Sequence, residues 1–171
     1  MSVYAREEEI TSFDAWMQER REREKDHVDG AERITEDPVY DMYFAVDKVC
    51  FDEMFRLGIA LYWMPEDAKM KLNAIGAHHE SAIMLDRAYY EEEGRGEAFC
   101  CLLFHEMIHA FCKWKGIEDT VKGVHLKAFA DAVNAHGGEG YFENGDYSGT
   151  RFKPETWEKI ARELRRKGAY V

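Results

Sequence analysis

A chain of 171 residues that is 46% apolar and 13% aromatic has room for one domain with a packed core, which excludes a wholly disordered polypeptide. Its formal charge of −11 opposes nonspecific attraction to phosphate backbones and anionic membranes, so no membrane partner is expected and DNA is a possible partner that net charge does not support. The acidic start MSVYAREEEI has no secretory pattern, the longest apolar run (AFCCLLF) is too short to span a bilayer, and Cys50, Cys100, Cys101 and Cys112 form no C-x-x-C pair; together these imply packed, reduced thiols and a cytoplasmic location, with nucleus or nucleoid still open.

Residues 1–36 read as a charged N-terminal helical segment and 37–171 as the remainder of a single domain. Thr11 is placed to cap a helix reaching about His27, with Phe13, Trp16 and Met17 as its apolar stripe and Gly30 beyond its end. Asp37 as N-cap and Pro38 in the first turn open a second helix, predicted to about residue 57, on which Val39, Met42, Val46, Val49 and Cys50 recur at helical spacing. After Gly58 the composition turns to strand formers: IALYWM, then two short strands around a polar turn near His79–Ser81. Ile83 and Leu85 alternate with Met84 and Asp86 as in a half-buried strand, and EEEGRGE reads as a polar loop.

The strongest helix follows, EAFCCLLFHEMIHAFCKWKG, stopped by Gly116. A short connection over 117–122 leads to a helix from about Val124 to Ala135, with Leu126, Phe129, Ala130 and Val133 inward. HGGEGYFENGDYSG is glycine-rich and reads as loop or turn, and a last helix begins near Pro154. The fold class is therefore α+β, with a small, about three-stranded, antiparallel or mixed sheet packed on helices.

Within the strongest helix, LLFHEMIHAF sets His105 and His109 one turn apart, their β-carbons about 6 Å from each other on one face. Two imidazoles so placed can share one metal ion. Glu106 is turned about 100° from His105 around the axis, a position suited to a general base acting on water beside the metal rather than to a ligand. Unpaired His and Glu inside an apolar helix would otherwise cost a few kcal/mol of desolvation. A catalytic zinc needs a third protein ligand. The spacing of one metalloprotease class fails, since Cys112 and Lys115 stand where it needs Gly and His. Glu118, Glu139 and Glu143 lie downstream, but His125, at the opening of the next helix, is better placed because a helical hairpin returns it to the first helix; His136 is the reserve. His78 and His79 fall in the strand hairpin and His27 among solvated charges.

CLLFHEMIHAFCKW followed by VHLKAF resembles the SprT-like (Spartan-type) zinc metallopeptidases, over roughly residues 40 to 135 and including CFDEMF, LYW and AIGAHHESAIMLD. The resemblance implies a zincin-like minimal protease domain, one catalytic Zn2+ held by His105, His109 and His125, Glu106 as catalytic base, and protein or peptide substrates. The glycine usual beside the third histidine is replaced here by Val124 and Leu126, and the cysteine zinc ribbon of many relatives has no counterpart in this chain. A substrate peptide would add as a strand along the edge at residues 82–87. Tyr141, Tyr147 and Arg151, downstream of the ligands, are read as structural.

Two rivals start from the same residues. Glu106–His109 and Glu24–His27 are each E-x-x-H pairs, the signature of a ferritin-like di-iron bundle, although the strand-rich stretch over 58–90 opposes a bundle. Alternatively zinc could stabilise a silent interaction module, for which Glu106 would have no use. Near the C-terminus seven cations (Arg151, Lys153, Lys159, Arg162, Arg165, Arg166, Lys167) face three acids (Glu155, Glu158, Glu163), a local +4 that suits a helix end complementing its own dipole; action on DNA-associated proteins rests on the resemblance alone.

Overall fold

The computed structural model describes residues 3–24, 31–56, 59–66, 76–79, 82–121, 124–143 and 146–168. Six helices and three small sheets occur among them, an α+β arrangement: α1 (Val3–Glu24), β1 (Glu32–Arg33), α2 (Asp37–Cys50), β2 (Ala60–Trp63), β3 (Gly76–His79), β4 (Ala82–Leu85), α3 (Arg87–Glu93), α4 (Glu97–Lys115), β5 (Thr120–Val121), β6 (Val124–His125), α5 (Lys127–Ala135), β7 (Gly138–Glu143), β8 (Asp146–Phe152) and α6 (Pro154–Arg166).

α1 begins at Val3, so Thr11 lies inside the helix instead of capping it; His27 lies outside the described residues. Ile10, Phe13 and Met17 are buried, and Phe13 sets its ring 4.7 Å from Phe55 and 5.4 Å from Trp114. The charged segment is thus bound to the main core by one apolar stripe. α2 has Glu36, not Asp37, at its N-cap, with Pro38 in its first turn. It stops at Cys50, well short of the predicted end. The buried Asp47 explains this: its Oδ1 accepts from Phe55 N at 2.8 Å and its carbonyl accepts from Phe51 N and Glu53 N. That turn carries Asp52 and Glu53 at φ 58° and 66°, a left-handed conformation costing roughly 1–2 kcal/mol per residue, which the buried hydrogen bonds offset.

α2 is tied to α6 by Lys48 Nζ on Glu163 Oε1 at 3.1 Å, with Arg166 on the same oxygen at 2.5 Å. The Arg166 hydrogen bond, with Lys48 in support, holds the Glu163 carboxyl down to about 2. A carboxyl lowered by folding adds stability above its unfolded pKa, and that stability is lost as pH falls toward 2. Glu163→Gln should therefore lower stability by about 0.2–1 kcal/mol at pH 7, and thermal melts of the two proteins should converge between pH 4.5 and 2.

The main sheet is four-stranded and mixed, in the order β1-β2-β4-β3, with β2 parallel to β4 and the other pairs antiparallel. All four β4 residues and Asp86 are buried, so the expected half-buried alternation is absent: both faces of this interior strand are covered. Because β4 is paired on both sides, residues 82–85 are no open edge for a substrate strand; the outer strand there is β3, which packs near α4. Of the stretch expected as polar loop, residues 91–93 form the end of α3, a helix whose N-terminus is capped by Asp86 Oδ1 accepting from Ala88 N at 3.1 Å, and 94–96 form the turn into α4.

α4 is the spine. Phe99, Leu103, Phe104, Met107, Ile108, Ala110 and Cys112 are fully buried, and Gly116 ends the helix at φ 71°, its N–H donating to the Cys112 and Lys113 carbonyls. The mixed sheet separates this fold from a four-helix di-iron bundle. No described helix is long and apolar enough to cross a membrane. All four cysteines are free; burial pushes the thiols of Cys50 and Cys112 up to about 12 and of Cys101 up to about 11, away from thiolate chemistry.

Candidate metal centre

Three histidines converge where α4 faces the β5–β6 hairpin. His105 and His109 project from one face of α4, and β6 brings His125 to them. The ring centroids are 5.0 Å apart for His105–His109, 4.9 Å for His105–His125 and 4.8 Å for His109–His125, and one ring nitrogen from each lies within 4.8 Å of the others. Phe129, fully buried on α5, forms the floor, its ring 4.8, 4.5 and 4.3 Å from those of His105, His109 and His125. His125 is not on the opening turn of a helix as expected. It is the last residue of a two-residue strand held by Thr120, and α5 begins only at Lys127. The pair of central helices becomes helix plus hairpin.

His136 stands apart: its Nδ1 donates to the Cys50 carbonyl at 3.0 Å and its ring stacks on Phe51. Glu118 is exposed and Glu139 is spent on Arg151 at 3.0 Å. Neither they nor His136 join the cluster of possible metal ligands, and Glu24 and Glu143 have side chains outside the described set. Of β3, which carries His78 and His79, only the backbone is described.

The electrostatics favour a cation over a proton. Burial, then the neighbouring imidazoles of His109 and His125, keeps His105 well below the usual histidine range, with Asp119 opposing. Burial, then His109, lowers His125 to about 4, again against Asp119. Both rings are neutral at pH 7 and present lone pairs. His109 Nδ1 meets Asp119 Oδ2 at 2.5 Å and His105 Nδ1 meets Thr150 Oγ1 at 2.8 Å, and each residue offers one ring nitrogen to the cluster. His125 Nδ1 is buried with no hydrogen-bond partner among the described residues, an orphaned polar atom of the kind that binding an ion relieves. The residues present thus fit a single metal ion.

Asp119 and Thr150 have no place in the sequence-based expectation. Asp119 is 1% exposed; burial pushes its carboxyl up, but the His109 hydrogen bond, the charge of His109 and Lys113 prevail and hold it below the usual range. Nothing local marks it, because the pairing with His109 exists only after the chain folds back past Gly116. Asp119→Asn should weaken metal binding about 10- to 100-fold, measured by competition with a chromophoric chelator. Tyr147 lies closer to the centre than a purely structural reading implies, its ring 4.8 Å from His125 and 6.2 Å from His105, and burial raises its phenol.

Glu106 is 5% exposed, and desolvation pushes its carboxyl up to about 7 despite the nearby His109. A buried carboxylate poised near neutrality, next in sequence to one candidate ligand and within the electrostatic reach of another, suits proton transfer in both directions.

No family model matches this chain, and neither a curated protein nor a solved structure is similar to it.

Proposed function

We propose that the chain is a zinc-dependent endopeptidase of zincin-like, SprT-like design, with His105, His109 and His125 as the metal-holding residues and Glu106 as general base. One observation carries the reading: a buried carboxyl raised to about 7 shares a helical turn with two of three clustered imidazoles, and burial keeps two of the three neutral. A structural zinc site needs no such carboxyl, and a purely structural helix would not collect it beside an orphaned histidine nitrogen.

Zinc held there would make water more acidic and draw electron density from a substrate carbonyl. The chain's own residues do the rest. Glu106 takes a proton from the attacking water and returns it to the departing amine as the C–N bond breaks. Asp119 fixes the tautomer and aim of His109, as Thr150 does for His105. Phe129 closes the floor beneath the imidazoles, which keeps the local dielectric low. An extended peptide pairs with β3, the outer strand of the sheet, whose second edge has no partner strand among the described residues.

At the basic end of α6, Arg162 pairs with Glu158 at 3.4 Å and Arg166 with Glu163, and the reading extends to protein substrates in general rather than to DNA-bound ones. The direct test is digestion of casein by the zinc-loaded chain. Hydrolysis should cease on treatment with a chelator and return on adding one equivalent of zinc; cleavage that survives complete metal removal would end the proposal.

A further inference from the structure

On the side of α4 away from the histidine cluster, α1, the end of α2 and the residue that follows α5 border a cavity of about 190 Å³. Phe111 reaches it from α4, turned about 200° around the helix axis from His109, so the cavity and the metal centre lie on opposite faces of one helix. Ile10, Phe51, Met54 and Phe111 supply its apolar walls. His136 is the polar part of the wall: its ring stacks on Phe51 at 4.9 Å and meets Phe111 edge-on at 4.5 Å. Glu9, half-buried, and Asp52, exposed, complete the border.

Hydrogen-bond sense and charge narrow what such a lining can hold. His136 Nδ1 lies 3.0 Å from the Cys50 carbonyl, which can only accept, so the single N–H of the neutral ring sits on Nδ1. Burial lowers the pKa of this imidazole, which keeps it neutral at pH 7 and leaves Nε2 as a lone pair. The carboxylates of Glu9 and Asp52 also accept, and the faces of Phe51 and Phe111 carry the negative end of the ring quadrupole. No positively charged side chain among the described residues lines the cavity; Lys115, which meets Glu9 Oε1 at 3.2 Å, holds its ammonium over the Trp114 ring. An anion would find no donor here, whereas a cation with N–H groups meets acceptors and π faces. Size sets the rest. An apolar protein cavity of about 150 Å³ holds one benzene molecule. A volume of about 190 Å³ therefore admits one ring with a short polar arm.

We propose that this cavity is a second binding site, for a small organic ammonium ion carrying one apolar ring. The ring packs among Ile10, Phe51, Met54 and Phe111, and the ammonium donates to His136 Nε2 and to the carboxylate border of Glu9 and Asp52. Binding is noncovalent. It stands independently of the peptidase reading, because none of the three clustered histidines lines the cavity.

The probe is benzylammonium, with benzyl alcohol as a neutral counterpart of the same ring and size. Each is titrated into the full chain at pH 7, by calorimetry and in long-range 1H–15N histidine spectra. Benzylammonium should bind with a Kd of about 1 mM or below, and benzyl alcohol about 10-fold more weakly. The His136 Nε2 signal, assigned through its contacts with the Phe51 and Phe111 rings, should move with occupancy, while those of His105, His109 and His125 stay in place. Asp52→Asn keeps a residue type that tolerates the left-handed φ of 58° and removes one charge. It should weaken benzylammonium binding about 2- to 5-fold and leave benzyl alcohol unchanged. Equal affinity for the two probes, or an Asp52→Asn chain that binds benzylammonium as wild type does, would overturn the selection for a cation. The absence of saturable binding, or binding that leaves His136 unmoved, would overturn the site.

Discussion

Replacing Glu106 by glutamine is expected to reduce peptide hydrolysis by about 10²- to 10⁴-fold while metal content stays at one equivalent. The substitution keeps the size of the side chain and removes its capacity to take a proton. Glu106 is not one of the three clustered imidazoles, so metal uptake should not change. Elemental analysis together with turnover separates the two effects. Equal turnover by wild type and Glu106→Gln would remove the mechanism, and loss of metal along with activity would recast Glu106 as a ligand. The substitution also replaces a buried acid that desolvation disfavours in its charged form, so the metal-free variant should fold at least as well as metal-free wild type near pH 8.

The second large effect is on metal-linked stability. An ion that binds only the folded chain adds about 4 kcal/mol when present at 1,000 times its dissociation constant. In a domain of this size that is roughly 10 °C in Tm. Wild type should therefore melt roughly 10 °C lower after chelation. His125→Ala removes one of three nitrogens and should lose most of this difference. His136→Ala should keep it, because His136 is engaged with the Cys50 carbonyl and stacked on Phe51, outside the cluster. Calorimetry with and without chelator on the three proteins checks this; a wild-type metal shift in His125→Ala, or its loss in His136→Ala, would exchange the roles of the two histidines.

Much of this arrangement was legible in the amino-acid order because it depends on short-range periodicity. The i, i+4 spacing of His105 and His109, the apolar run that makes α4 a buried helix, and Gly116 as its stop are properties of one helix and need no partner. The β3–β4 hairpin, the Pro154 helix start and the choice of His125 over His136 follow from turn signals and from how far a chain can travel before it doubles back. The end of α2 was not legible: its apolar spacing runs on past Cys50, and only the buried carboxylate of Asp47, bonded to Phe55 N, turns the chain there.

The glycine-rich stretch shows the reverse case. Local propensity alone makes it a loop, yet it forms the β7–β8 hairpin, and two of its glycines answer to close neighbours. A β-carbon on Gly138 would lie 2.6 Å from Phe104, and one on Gly149 2.4 Å from the Tyr141 hydroxyl. Helix and ligand spacing, set by bonds a few residues long, were the sequence's own to determine. The partners that aim those ligands, Asp119 for His109 and Thr150 for His105, lie 10 and 45 residues away from them. Only tertiary structure could choose them, because a hydroxyl or carboxylate becomes an imidazole's partner when close packing excludes water from both.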